Sequence, residues 1–127
     1  MNSIQRVLVV DDSEAAAEML GLLVQRFGYE VRTAFDGTEA IQIAKSFLPD
    51  VVIMDIGMPI MDGLEAAKCM RSAPWSPRFF LVALSGWDRN EDRALAIDAG
   101  FDFHLVKPAT SADLKQLFAD LESYSTD

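Results

Sequence analysis

Cysteine, histidine and basic residues are scarce in this chain of 127 residues, and the shortages narrow what it can be. Its one cysteine, Cys69, closes no internal disulfide, in keeping with a reducing compartment. Cys69 falls in a helical stretch, where a packed thiol is expected rather than a reactive one. Lys and Arg number 11 against 20 Asp and Glu, a net charge of −9. Nucleic-acid binding needs the opposite balance, because the phosphates contacted must be neutralised. No run of basic residues appears, and Arg89 and Arg93 have acids between them. The longest unbroken apolar run, Phe79 to Leu84, is far short of the roughly 20 residues of a membrane-spanning helix. At the N-terminus, Arg6 is followed only by Val7-Leu8-Val9-Val10 before two aspartates, too little for the core of a signal peptide. No Gly-x-Gly-x-x-Gly is present, which disfavours a Rossmann nucleotide site. These absences leave a small, acidic, cytoplasmic domain that binds no nucleic acid and inserts into no membrane.

Hydrophobic residues make up 50% of the chain and charged residues 24%, enough apolar material for one sizeable core. Residues 1–127 are expected to form a single domain with its core at about 6–121, the last few residues fraying. Strands are expected at Val7–Val10, Val31–Ala34, Val51–Met54, Phe79–Leu84 and Phe103–Val106. All but the second read as continuous rather than alternating runs, broken only by His104 in the fifth, as in parallel strands covered on both faces. Val31-Arg32-Thr33-Ala34 is more polar and suits a sheet edge. Ala40, Ile43, Ala44, Phe47 and Leu48 form one helical stripe, and Leu114, Leu117, Phe118 and Leu121 another. Asp36/Glu39, Asp62/Glu65 and Asp88/Glu91 have capping-box spacing at helix starts. Gly28 and Gly100 fall where helices end in a left-handed residue, Pro49 closes the second helix, and Ser72 to Pro77 reads as a surface loop. The fold class is α/β, a single doubly wound domain whose five-stranded parallel sheet is flanked by five helices.

Ligands of such sheets bind beyond the carboxyl ends of the strands. Asp11 and Asp12 follow the first apolar run, Asp55 the third, Ser85 the fourth and Lys107 the fifth. Two carboxylates about 4 Å apart repel by roughly 4 kcal/mol at an effective dielectric near 20, so three together shift their pKa values or bind a cation. Oxygen donors without His or Cys favour a hard ion, and a few carboxylates plus waters suit Mg²⁺ better than Ca²⁺. A metal beside a carboxylate, with an ammonium and a hydroxyl nearby, is equipment for phosphoryl transfer to that carboxylate. Each residue alone has a plainer reading. Asp12 or Ser13 can cap the first helix, Ser85 can be a turn residue, and Lys107 a solvated loop charge. Their joint placement at strand ends carries the inference.

Val7-Leu8-Val9-Val10-Asp11-Asp12, Asp55-Ile56-Gly57-Met58-Pro59 with Met61-Asp62-Gly63, Ala83-Leu84-Ser85-Gly86 and Leu105-Val106-Lys107-Pro108 closely resemble the receiver domain of two-component response regulators. With Trp87 and Ala99 to Pro108, the pattern is especially similar to receivers of hybrid histidine kinases. The resemblance implies a flavodoxin-like fold and a phosphoprotein in a two-component phosphorelay. It implies that Asp55 takes a phosphoryl group from the phosphohistidine of a histidine kinase or histidine phosphotransfer protein, with Mg²⁺ or Mn²⁺ as cofactor. Asp11, Asp12, Asp55 and the carbonyl of Gly57 would hold the metal. Ser85, Lys107 and the backbone N–H groups of Gly57 and Gly86 would hold phosphoryl oxygens. Ser85 and His104 would form the switch to a downstream protein or a phosphorylation-dependent homodimer. Such a domain catalyses only its own phosphorylation and dephosphorylation and turns over no external substrate.

Three positions depart from the usual pattern. His104 stands where Tyr or Phe is common, as a ring gate or a titratable sensor. Gly57 stands where many relatives carry a polar side chain, and Trp87 places a large ring close to Ser85, as a gate, a partner contact or a plain exposed aromatic. Two alternatives remain, a phosphorylation-independent pseudo-receiver and a dehalogenase-like phosphatase. The phosphatase needs a second Asp where Gly57 stands. A flavodoxin-like FMN protein is disfavoured, because Asp11-Asp12-Ser13-Glu14 would repel a phosphate without a metal. A stand-alone regulator and a receiver of a longer chain fit the sequence equally.

Overall fold

The computed structural model describes residues 4–56, 63–73, 79–86, 94 and 97–125, apart from the side chains of Leu64 and Ser125. Within it the five apolar runs become β1 (Arg6–Val10), β2 (Glu30–Ala34), β3 (Val51–Asp55), β4 (Phe80–Ser85) and β5 (Phe103–Val106). All neighbours pair in parallel, in the order β2-β1-β3-β4-β5. Helices α1 (Glu14–Gln25), α2 (Gly37–Phe47) and α3 (Gly63–Ser72) connect the first four strands, and a C-terminal helix (Ser111–Ser125) follows β5. Residues 94 and 97–99, between β4 and β5, are also helical, in the position of the fourth expected helix.

Strand alternation divides the core in two. Leu8, Val10, Val52, Met54, Leu81 and Ala83 meet Ala40 and Ala44 of α2 and Ala66, Ala67 and Met70 of α3. Val7, Val9, Val51, Ile53, Val82 and Leu84 meet Ala17, Leu20 and Val24 of α1 and Leu114, Leu117, Phe118 and Leu121 of the C-terminal helix. A central strand buried on both faces has to be apolar at every position, which is why these runs do not alternate.

Local chemistry sets the helix ends. Ser13 caps α1, its hydroxyl accepting from Ala16 N at 3.3 Å. Asp36 caps α2 by accepting from Glu39 N at 2.7 Å, while Glu39 reaches back to Phe35 N, one residue before the cap. Thr110 and Asp113 bond reciprocally at the start of the C-terminal helix, a capping box with Asp in place of Glu. The Asp62 and Asp88/Glu91 caps and residues 74–77 of the expected loop lie outside the described residues. Gly28 and Gly100 have φ of 97° and 98°, the left-handed turns expected of them.

Three expectations are corrected. Leu48 leaves the α2 stripe. The following Pro49 disfavours the right-handed helical conformation, so Leu48 ends the helix at φ 52° with its side chain exposed. Cys69 is exposed, because Ala66, Ala67 and Met70 take the buried side of α3. β5 is half-buried throughout rather than covered, since it is an edge strand like β2, with β4 as its one lateral neighbour. No helix among the described residues is long and apolar enough to cross a membrane.

Candidate functional site

Chain direction across the sheet reverses at β1. The connection after β1 runs outward to β2, and the next returns past it to β3, so a crevice opens at the carboxyl ends of β1 and β3. Asp11 follows β1 and Asp55 ends β3. Backbone bonds continue the sheet past the strand ends: Asp11 N to Ala34 O at 3.1 Å, Ile56 N to Leu84 O at 3.1 Å and Lys107 N to Ser85 O at 2.7 Å. The site residues therefore stand on a fixed backbone. Lys107 is joined to Pro108 by a cis peptide bond.

Asp11 and Asp55 are only 3% and 5% exposed, whereas Asp12 faces solvent. One carboxylate oxygen from each of the three lies within 4.8 Å of the others. Asp11 Oδ1 accepts from Ser13 N at 3.0 Å, and its Oδ2 lies 3.4 Å from Lys107 Nζ. The same ammonium donates to Asp55 Oδ2 at 2.8 Å. Burial pulls the Lys107 pKa down, but the hydrogen bond and charge of Asp55, reinforced by Asp11, outweigh it and hold the group above its ordinary value. Ser13 rather than Asp12 caps α1, so the plainer reading of Asp12 falls away. Among the described residues Asp12 makes no hydrogen bond or ion pair. Three carboxylates against one ammonium leave an excess of negative charge on all-oxygen donors, a set suited to a hard divalent cation.

Ser85 is 5% exposed at the end of β4, and its Oγ lies 2.8 Å from His104 Nε2. Sequence reasoning paired the two as a switch without foreseeing this direct bond. Its signal is the strand alternation: Ala83 lies opposite His104 and Ser85 opposite Val106, which puts Ser85 and His104 on one face. Gly63 is a second residue whose role was missed. A Cβ there would collide with the carbonyl oxygen of Asp55 and lie 2.7 Å from Ile56 Cα, so only glycine lets α3 start against the end of β3. Gly86 is exposed, with open space where a Cβ would stand. Gly57 and Trp87 lie outside the described residues.

Comparisons with known proteins agree with this geometry. The response regulator receiver domain profile matches residues 7–119. The alkaline phosphatase synthesis transcriptional regulatory protein PhoP of Bacillus subtilis is 35% identical over 104 residues, which cover 82% of this chain and 42% of that one. The transcriptional regulatory protein PrrA of Mycobacterium leprae is 39% identical over 110 residues, covering 86% and 46%. The chain thus spans less than half the length of these regulators. Among solved structures, the Vibrio cholerae chemotaxis protein CheY4 superposes with a TM-score of 0.87 at 32% identity, over 93% of this chain and 98% of that one. The receiver domain of a Pseudomonas aeruginosa sensor histidine kinase, with magnesium in its active-site cleft, gives 0.84 at 26% identity over 95% and 99%. With an acid-lined crevice at the β1/β3 reversal and this match along nearly its whole length, the chain belongs to the response regulator receiver domain family.

Proposed function

We propose that Asp55 is the phosphoacceptor of this receiver and that its phosphorylation remodels a partner-binding surface. Receiver domains are the phosphoacceptor modules of two-component signalling and not turnover enzymes. The observation that carries the assignment is the buried Asp55 carboxylate held 2.8 Å from Lys107 at the end of β3. An oxygen of Asp55 attacks the phosphorus of a phosphohistidine, a P–O bond forms, the P–N bond breaks, and the imidazole leaves with the electron pair. Lys107 already faces the reacting oxygens and passes its charge from the carboxylate to a phosphoryl oxygen as the acyl phosphate forms. The Ser85 hydroxyl and the Gly86 backbone N–H donate to the other oxygens, with the Gly57 N–H joining them by family resemblance.

Asp11, Asp12 and Asp55, with the Gly57 carbonyl, are the residues that would hold Mg²⁺ or Mn²⁺. When bound, the ion neutralises charge on the transferring group. The magnesium in the cleft of the Pseudomonas aeruginosa receiver supports this choice. The donor is a histidine kinase or histidine phosphotransfer protein. The response is read by a downstream protein or a second copy of the domain, through Ser85, His104 and the surface around β5. Nearly two negative charges added in the crevice are the driving change.

Intact mass after incubation with acetyl phosphate and Mg²⁺ tests the assignment. One phosphoryl group is expected on the wild type, none without Mg²⁺ and none on Asp55→Asn. A group retained by Asp55→Asn would move the acceptor elsewhere, and a wild type that gains none from acetyl phosphate or from a phosphorylated histidine kinase would favour a phosphorylation-independent binding module.

A further inference from the structure

The 2.8 Å bond between Ser85 Oγ and His104 Nε2 can have either polarity, and the two have opposite consequences. A neutral imidazole carries one N–H, on either nitrogen. With the proton on Nδ1, Nε2 accepts the Ser85 hydroxyl and ties up its only donor. With the proton on Nε2, His104 donates to one lone pair of Oγ, and this bond does not consume the Ser85 hydroxyl proton. The surroundings of Nδ1 decide between them. That atom is buried and, among the described residues, meets no hydrogen-bond partner. An N–H there would be an orphaned donor, which folded proteins tolerate less than an unmatched acceptor. The proton therefore belongs on Nε2, since the bond made by one ring nitrogen fixes the state of the other.

We infer that His104 is a positioning residue: it donates through Nε2–H to Ser85 Oγ and so directs the Ser85 hydroxyl proton toward phosphoryl oxygens on Asp55. This rests on Asp55 being the phosphoacceptor. Ser85 ends β4 directly after Leu84, the register partner of Asp55, and its carbonyl is pinned by Lys107 N at 2.7 Å. With the backbone held at that point, an N–H directed at Oγ restricts the rotation of the hydroxyl. A phenyl ring at position 104 would fill the same space and restrict nothing.

Histidine occurs once in the chain, so tag-free protein gives a single set of imidazole signals. A long-range ¹H–¹⁵N correlation spectrum of unphosphorylated protein, recorded well above the ordinary histidine range, is expected to show the Nε2–H tautomer. The Nδ1–H tautomer overturns the inference without reference to any phosphodonor. Phosphoryl incorporation from acetyl phosphate with Mg²⁺ gives the second readout. His104→Phe is expected to react about three- to tenfold more slowly than wild type, the weight of one directed hydrogen bond. His104→Gln, whose amide N–H falls near the position of Nε2, is expected to recover most of that rate. A packing role predicts the reverse order, with Phe better than Gln, and that order overturns the inference. In a Ser85→Ala background His104→Phe is expected to add no slowing; added slowing there overturns action through Ser85, as does a His104→Phe protein as fast as wild type or faster. A wild type that gains no phosphoryl group overturns the Asp55 assignment and the positioning role with it, a result distinct from variants that merely fail to differ.

Discussion

Asp12 is the acid whose position has the least structural justification. It neither caps α1 nor, among the described residues, pairs with a cation, yet one of its oxygens lies within 4.8 Å of those of Asp11 and Asp55. In metal-free protein its charge only repels its neighbours, screened by its exposure. Asp12→Asn is therefore expected to raise the metal-free melting temperature slightly. With Mg²⁺ the order reverses. A ligand at about 100 times its Kd stabilises the folded state by about 2.7 kcal/mol, and the variant forfeits most of that gain. Thermal melts of both proteins with and without Mg²⁺ check the crossing, and parallel curves would remove Asp12 from the metal site. The acids, Ser85 and Lys107 were legible in the sequence because each directly follows or ends an apolar run. The Ser85–His104 bond and the contact of Gly63 with the end of β3 were not, because both depend on how neighbouring elements pack.

Among the elements, α3 is tied to β4 and β5 by one side chain. Arg71, in the last turn of α3, donates from Nε to Gly100 O at 3.1 Å and from Nη1 to Phe79 O at 2.9 Å. Its Nη2 pairs with Asp102 Oδ2, which also accepts from Leu81 N at 2.9 Å, and the guanidinium lies 4.7 Å from the Phe79 ring centroid. One planar group thus fixes the entrance to β4 and the turn into β5, the strands that carry Ser85 and His104. Arg71→Met leaves backbone carbonyls without their charged donor and is expected to cost about 2–3 kcal/mol in urea unfolding. Arg71→Lys is expected to restore less than half, because a single ammonium cannot serve three directions at once. A loss below about 0.5 kcal/mol, the ordinary range for surface changes, would reduce Arg71 to a surface ion pair. Strand positions and sheet class were legible because apolar runs record burial on two faces. The tie made by Arg71 was not, since its partners lie 8 to 31 residues away. Leu48 was misread because stripe counting does not register where a proline ends the helix, and Cys69 because a helical stretch alone does not say which side of the helix faces the sheet.

At the scale of the whole molecule, the start of the chain, the entrance to β2 and the C-terminal helix meet at Glu122. Its Oε1 accepts from Ile4 N at 3.1 Å and its Oε2 from the Tyr29 hydroxyl at 3.2 Å, while the Tyr29 ring packs on Phe118 with centroids 4.6 Å apart. Burial first, then the Glu122 charge and hydrogen bond, push Tyr29 up to about 12 from 10.0. The folded state thus keeps this proton to higher pH than the unfolded chain. The resulting stabilisation is complete below pH 10 and is lost as pH rises toward 12. Lys107, raised above 10.5, acts in the same direction, but its contribution is common to wild type and a Tyr29→Phe variant and cancels in their difference. Near neutral pH Tyr29→Phe is expected to be about 1 kcal/mol less stable, the net worth of one partly buried hydrogen bond. That gap should close as the wild type loses the Tyr29 proton, which the variant lacks. Urea midpoints of both proteins, followed from neutral pH into the alkaline range, measure it. A gap that stays constant would mean that Phe118 packing rather than the Glu122 bond holds the two ends of the chain together.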